Sequence, residues 1–259
     1  MLIIYFCIFF LGASLASFVN ATIYRLESKN RKSKGKTFPV FEKRSHCEYC
    51  GKELTWVELL PVVGFILCSG KCKKCGKRIN IYYPISEFIL GISTLLFYIY
   101  DVPLYFIVTL IFLFALSYYD YLERSIPSRL THIFLVISLT FFFLFNLNIQ
   151  NIIVVGAIVL FLLILSFVMK KSFGLGDILV LGGIGLQMDY KNFLVMFWVS
   201  VLGALFVSIL YGAFTKKDLR KIKIPMIPFF MISFTISCVF GEYIFDFVIN
   251  DFLPLLIWK

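Results

Sequence analysis

Long apolar runs separated by short polar stretches set the pattern of this chain from its second residue. Leu2 to Tyr24, Pro84 to Tyr100, Val102 to Tyr119, Leu130 to Phe145, Ile152 to Met169, Asn192 to Phe214 and Ile224 to Gly241 reach or approach the roughly 17 to 25 residues a helix needs to cross a hydrocarbon layer. A shorter run, Phe173 to Met188, opens on glycines and is uninterrupted only from Ile178. It makes an eighth span or a re-entrant segment. The pattern predicts an all-α polytopic membrane protein of about eight transmembrane helices. Its divisions are a first helix (1–24), a polar loop domain (25–83) and a multi-span membrane domain (84–259).

Composition agrees, with 60% hydrophobic and 15% charged residues in a chain of 259. Charge adds orientation, because cytoplasmic flanks retain Lys and Arg during insertion. Fourteen lysines and arginines lie in residues 25–78, and further basic residues fall at 121–130, at Lys170 and Lys171, and in 216–223. Together they make 23 of the 25, all on alternate loops, with only Lys191 and Lys259 on the other side. Both termini are therefore expected outside the cytoplasm. The net charge of +10 needs no nucleic acid, since an anionic lipid surface accounts for it. The small residues Ala13, Ala16 and Ala21 imitate a signal-peptide cleavage site, but no basic residue precedes the apolar run. A retained helix, inserted N-terminus out, is the expectation.

The loop carries the most specific local signal. Cys47 and Cys50 form one C-x2-C pair and Cys72 and Cys75 another, with 21 residues between. Two such pairs suit a tetrahedral Zn²⁺ in a small zinc-ribbon-like insertion. A cytoplasmic location makes disulfides the weaker alternative. Four thiolates would fill the coordination shell, so the metal is structural, giving a loop with little core a reason to fold. Cys7, Cys68 and Cys238 sit in apolar surroundings and read as small core residues.

Ionisable groups at span edges are costly and are functional candidates. Asp120 closes the third span and Asp177 opens the sixth, both at the cytoplasmic end of the predicted topology. Two carboxylates at one depth, 57 residues apart in sequence, are what an aspartic protease requires. One acts as general base on a water while its protonated partner donates to the scissile carbonyl. Gly174 and Gly176 would turn tightly and admit a substrate backbone, and Pro127 would end an extended stretch after Asp120. Taken singly, Asp177 reads more readily as a helix cap than as a catalyst, and Asp120 as a routine interfacial residue. Glu87, paired with a basic loop residue, and His132, Asp101, Glu242, Asp246 and Asp251 are weaker candidates.

"ASFVNATIYRL" (16–26), "ELLPVVGFILCSGKCKKC" (58–75), "YYPISE" (82–87), "YDYLERSIP" (119–127) and "FGLGDILVLGGIG" (173–185) resemble, in order, the type IV prepilin peptidases. The resemblance implies a GxGD aspartic endopeptidase that removes basic leaders from prepilins and pseudopilins at the cytoplasmic face of the cytoplasmic membrane. In many members the same protein then N-methylates the new amino terminus with S-adenosylmethionine. It also implies Asp120 (D-x5-I-P) and Asp177 (GxGD) as the catalytic pair, the four loop cysteines as the zinc set, and Gly70 in methyl transfer. Ser69, Tyr82 and Leu179 depart from residues common in the family. Ser69 and Tyr82 make methylation less secure than proteolysis, and no Gly-rich nucleotide-binding turn is visible. Acidic loop residues, Glu42, Glu48, Glu53 or Glu58, would contact the basic leader. The competing readings are a presenilin-like intramembrane protease, which leaves the cysteine loop unexplained, and a zinc-regulated transporter, which would put polar residues along span interiors.

Overall fold

The computed structural model describes residues 1–30, 45–123, 126–168, 174–215 and 224–252. Glu42, Arg124, Lys170, Lys171, Phe173, the basic residues of 216–223 and Lys259 lie outside the described residues. Helices dominate. Among the described residues no strand forms, and two isolated β-bridges, His46 with Glu53 and Lys71 with Arg78, occur in the loop.

Among the described residues seven helices are long and apolar enough to cross a membrane: α1 (Leu2–Asn30), α3 (Tyr82–Ile99), α4 (Tyr105–Glu123), α5 (Ser128–Phe145), α6 (Ile149–Val168), α8 (Tyr190–Thr215) and α9 (Ile227–Asp246). A five-residue helix, α2 (Val63–Leu67), lies in the loop, and a π-helical turn, Phe247–Phe252, follows α9. Helix α7 (Leu175–Gln187) has 13 residues, about 20 Å at ~1.5 Å per residue, and falls short of a ~30 Å hydrocarbon layer. The eight apolar runs thus become eight helices, one of them too short to span.

Boundaries move where polar residues continue a helix. Helix α1 runs past Tyr24 to Asn30, because a helix leaving the hydrocarbon keeps its internal backbone bonds. Helix α4 likewise continues to Glu123, so residues 121–123 are helical and not extended. Pro127 (φ −62°) is instead the N-cap of α5, a place suited to its fixed φ and missing N–H.

The chain divides into two compact units, Met1–Asp101 and Val102–Lys259. In the first, α1 packs on α3. In the second, α9 packs on α4 and α8, and α7 on α5 and α6. Helix α7 approaches its neighbours through glycine: a Cβ on Gly183 would lie 2.8 Å from Phe134 Cε1, and one on Gly185 2.7 Å from Val155 Cγ2. Removing side chains from one face of a helix lets backbones come close where lipid supplies no hydrophobic drive.

Candidate active site and metal centre

Asp120 lies near the end of α4 and is only 7% exposed. A buried carboxylate needs hydrogen-bond donors, and the start of α9 provides them. The Ile227 N–H donates to Asp120 Oδ2 at 3.1 Å, and the Met226 N–H bonds to the same carboxylate. These are amides that a helix start leaves without intrahelical acceptors. Asp177, half-buried, stands in the first turn of α7 and accepts the N–H of Gly174, the N-cap residue. That bond is one half of a capping box, so the cap reading of Asp177 is realised in part. Capping does not account for its other neighbour. The Asp120 and Asp177 carboxylates lie close enough to act on each other electrostatically.

The two motifs interlock at a glycine. A Cβ on Gly176 would sit 2.9 Å from Cδ1 of Ile126, and one on Gly174 3.1 Å from Asp177 Oδ2. Gly174 has φ −70°, a conformation open to any residue, so the tight turn expected of these glycines is absent. They make room for Ile126 and for the Asp177 carboxylate.

The weaker candidates do not join the pair. Glu87 is buried and accepts the Val62 N–H at 2.8 Å, a backbone partner in place of the basic residue expected. His132 is exposed, its Nδ1 against the Ser128 carbonyl at 2.5 Å. Asp246 is exposed and pairs with Lys191 at 3.6 Å, and Asp101, Glu242 and Asp251 are exposed. Of the loop acids, Glu58 is engaged internally. It accepts Lys52 Nζ at 2.7 Å and the Thr55 N–H at 2.8 Å. These hydrogen bonds, Lys52's first, hold it down to a pKa of about 2. Glu48 accepts the Tyr83 hydroxyl.

In the loop, the sulfurs of Cys47, Cys50, Cys72 and Cys75 all lie within 4.8 Å of one another. Cys47 Sγ to Cys75 Sγ and Cys50 Sγ to Cys72 Sγ are each 3.9 Å. A tetrahedron with Zn–S of ~2.3 Å has edges of ~3.8 Å, so the spacing fits a metal such as zinc. Each pair is built alike. The Cys47 N–H donates to the Lys52 carbonyl at 2.8 Å and the Gly51 N–H to the Cys47 carbonyl at 2.9 Å. Cys72 repeats this with Lys77, and Gly76 with Cys72, each at 2.9 Å. Gly51 and Gly76 close the turns at φ 67° and 68°, where a side chain is strained. N–H bonds from Cys75 and Lys74 bring Cys72 down to about 6. The Lys77 N–H pulls Cys75 down too, but burial and the neighbouring sulfurs outweigh it and push it up to about 11. Four thiols this close cannot all ionise without a cation among them.

A cavity of about 220 Å³ opens between α1, the loop and the start of α3, lined among others by Ser17, Asn20, Glu58, Phe65, Tyr83 and Glu87. Asn20 is 2% exposed. Its Nδ2 donates to Ser86 Oγ at 2.9 Å, while its Oδ1 has no hydrogen-bond partner among the described residues. Gly70 stands behind the lining at φ +65°, where an added Cβ would meet the Phe65 ring at 3.0 Å.

Sequence reasoning passed over Asn20, although a polar residue within the first apolar run was visible. It also missed the repeat C-x2-C-G-K at 47–52 and 72–77, which announces both knuckles and their glycines. The Ile227 N–H has no sequence signal, because a backbone donor is carried by every residue type except proline.

Residues 10–100 match the family described as Bacterial Peptidase A24 N-terminal domain, and residues 107–214 match the Type IV leader peptidase family. The "Prepilin leader peptidase/N-methyltransferase" of Bacillus subtilis is 28% identical over 82% of this chain and 87% of its own length. The protein of the same name from Aeromonas hydrophila is 24% identical over 96% of both. That of Vibrio cholerae is 30% identical over 46% of this chain and 48% of its own length. No solved structure matches the chain significantly.

Proposed function

The chain belongs to the type IV leader peptidase family, and on that premise we propose that it is an aspartic endopeptidase cleaving the leader from type IV prepilins and pseudopilins at the cytoplasmic face of the membrane. The observation that carries this reading is the pair of electrostatically interacting carboxylates, Asp120 and Asp177, near the ends of two mostly apolar helices. Hydrolysis by such a pair needs a water, one charged and one neutral carboxyl group, and a positioned peptide. Asp120 accepts two backbone N–H bonds against one at Asp177, and donors favour the charged acceptor. Asp120 therefore takes the proton from water as base, and Asp177 donates to the scissile carbonyl. The prepilin's own apolar helix would lie among the spans with its leader in the cytoplasm.

The four loop cysteines are the ligands of a structural zinc that cross-links the two knuckles. Methylation of the released amino terminus belongs to the same reading, and S-adenosylmethionine would supply the methyl group. The cavity beside Asn20 suits such a donor, because the unpartnered buried oxygen of Asn20 awaits a polar, positively charged ligand. Gly70 acts on this cavity through Phe65.

Co-expression with a candidate prepilin, read by intact mass, tests the assignment. Asp120→Asn and Asp177→Asn should each lower cleavage at least about 100-fold at normal abundance, the scale of general acid–base catalysis. Near wild-type processing by either variant would return that aspartate to a capping or interfacial role.

A further inference from the structure

Helix α7 carries Asp177 but is held from its other end. Gln187, 2% exposed, closes the helix and is fully engaged. Its Oε1 accepts the hydroxyl of Thr109 on α4. Its Nε2 donates to Ser138 Oγ on α5 at 2.7 Å and to the Gly183 carbonyl at 3.3 Å. Around it, Asn146 Nδ2 donates to the carbonyls of Leu186 and Met188 at 3.2 and 2.9 Å. Asn151 Nδ2 donates to the Met188 carbonyl at 3.0 Å and to Asn146 Oδ1 at 2.9 Å. The carbonyls that a helix end leaves open are thereby tied to α5, α6 and the turn between them.

The spacing along the two helices matches. Gln187 stands ten residues beyond Asp177 on α7, and Thr109 eleven residues before Asp120 on α4. At ~1.5 Å per residue these are about 15 Å and about 16 Å. Because the helices carry these residues in opposite chain order, Thr109–Gln187 and Asp120–Asp177 are two rungs of one ladder. The apolar side chains that α7 buries, Ile178, Val180, Leu181 and Ile184, pack it closely but carry no directional bond, and its glycines bring backbones close. A slip of even one residue would break the Thr109 and Ser138 bonds and leave a buried amide unsatisfied, which is the costly case.

We propose that Gln187, with Thr109 and Ser138, is a positioning residue that fixes the axial register of α7 and so sets the separation of the Asp120 and Asp177 carboxylates. The inference rests on that pair being catalytic. Losing the pin leaves substrate binding intact and slows the chemical step, because misplacement by about 1 Å costs on the order of tenfold to 100-fold in rate.

Steady-state kinetics on purified prepilin decide the matter. The triple variant Thr109→Val, Ser138→Ala, Gln187→Leu removes every partner at once and leaves no orphaned polar group, so it should keep wild-type abundance and thermal midpoint. Its kcat should fall about tenfold to 100-fold with KM unchanged. Thr109→Ser, which retains the hydroxyl, should keep the wild-type kcat, while Thr109→Val loses most of it; this pair decides if the triple variant does not fold. A stable triple variant at wild-type kcat, or Thr109→Ser falling as far as Thr109→Val, overturns the pin. Asp177→Asn, run alongside, separates the two claims. If it still cleaves, the catalytic pair is wrong and the pin has nothing to set; if it is inactive while the triple variant is not, the pin alone fails.

Discussion

What a carboxylate does in this chain is decided by what faces it. Asp177 lies within electrostatic reach of another carboxylate, Glu87 accepts the Val62 backbone N–H, and Glu58 the ammonium of Lys52 together with Thr55. The first arrangement suits proton exchange, while the others hold structure. Sequence could place each acid near a span or in the loop, but not tell these uses apart, since each partner arrives by tertiary folding. The Glu58 pair has a pH signature. Glu58 is lowered from 4.5 to about 2 by Lys52 first and then Thr55, so its contribution is complete above pH 4.5 and is lost as pH falls toward 2. Lys52 is raised above 10.5 by the same bond, so its share persists below that value and fades only as pH rises through its folded pKa. The stability gap between wild type and Glu58→Gln should therefore be flat from about pH 5 to about pH 9 and shrink at both extremes. Hydrogen exchange at the Thr55 amide measures it. A gap that grows on acidification would contradict the assignment.

At the scale of elements, the spans were legible because crossing a membrane demands an unbroken apolar run, and that is written residue by residue. The five-residue α2 was not, since so short a helix exists only where its surroundings hold it. The glycines of the GxGD segment were seen but misread. Gly176 stands against the side chain of Ile126 and Gly174 against the Asp177 carboxylate, and the first contact, between segments 50 residues apart, leaves no local trace. The cysteine knuckles were legible because ligand spacing is local. Their sulfurs stand at the edge length of a zinc tetrahedron, and the loop has little apolar core of its own, with Trp56, Leu60, Ile66 and Leu67 exposed. Metal binding should then be folding free energy for the loop. Elemental analysis should return one zinc per chain. Chelation, or Cys47→Ser, should abolish exchange protection in residues 45–80 while the amides of α4, α5 and α7 keep theirs. Protein purified without oxidation that carries no metal, or two disulfides, would refute the centre.

Over the whole molecule, the two chemistries expected of a prepilin leader peptidase/N-methyltransferase fall in different compact units. The carboxylate pair belongs to Val102–Lys259, whereas the cavity with its unpartnered Asn20 oxygen belongs to Met1–Asp101. Cleavage requires only a water and the two carboxyl groups about the peptide. Methyl transfer requires a pocket that orients a donor, and Asn20 is the one lining side chain with a buried oxygen left unbonded among the described residues. Asn20→Leu keeps the size, removes that oxygen and also frees Ser86 from its bond; Ser86→Ala removes the Ser86 bond alone and serves as control. The expectation is that Asn20→Leu lowers methylation of the mature pilin about tenfold or more, the cost of one lost buried polar contact to a charged ligand, with cleavage within about twofold of wild type. Ser86→Ala should leave both activities near normal. Intact mass of the mature pilin reads cleavage and the added methyl group in one spectrum. Parallel loss of both activities in Asn20→Leu would tie the cavity to the protease, and an unmethylated product from the wild type would show that the cavity serves some other ligand.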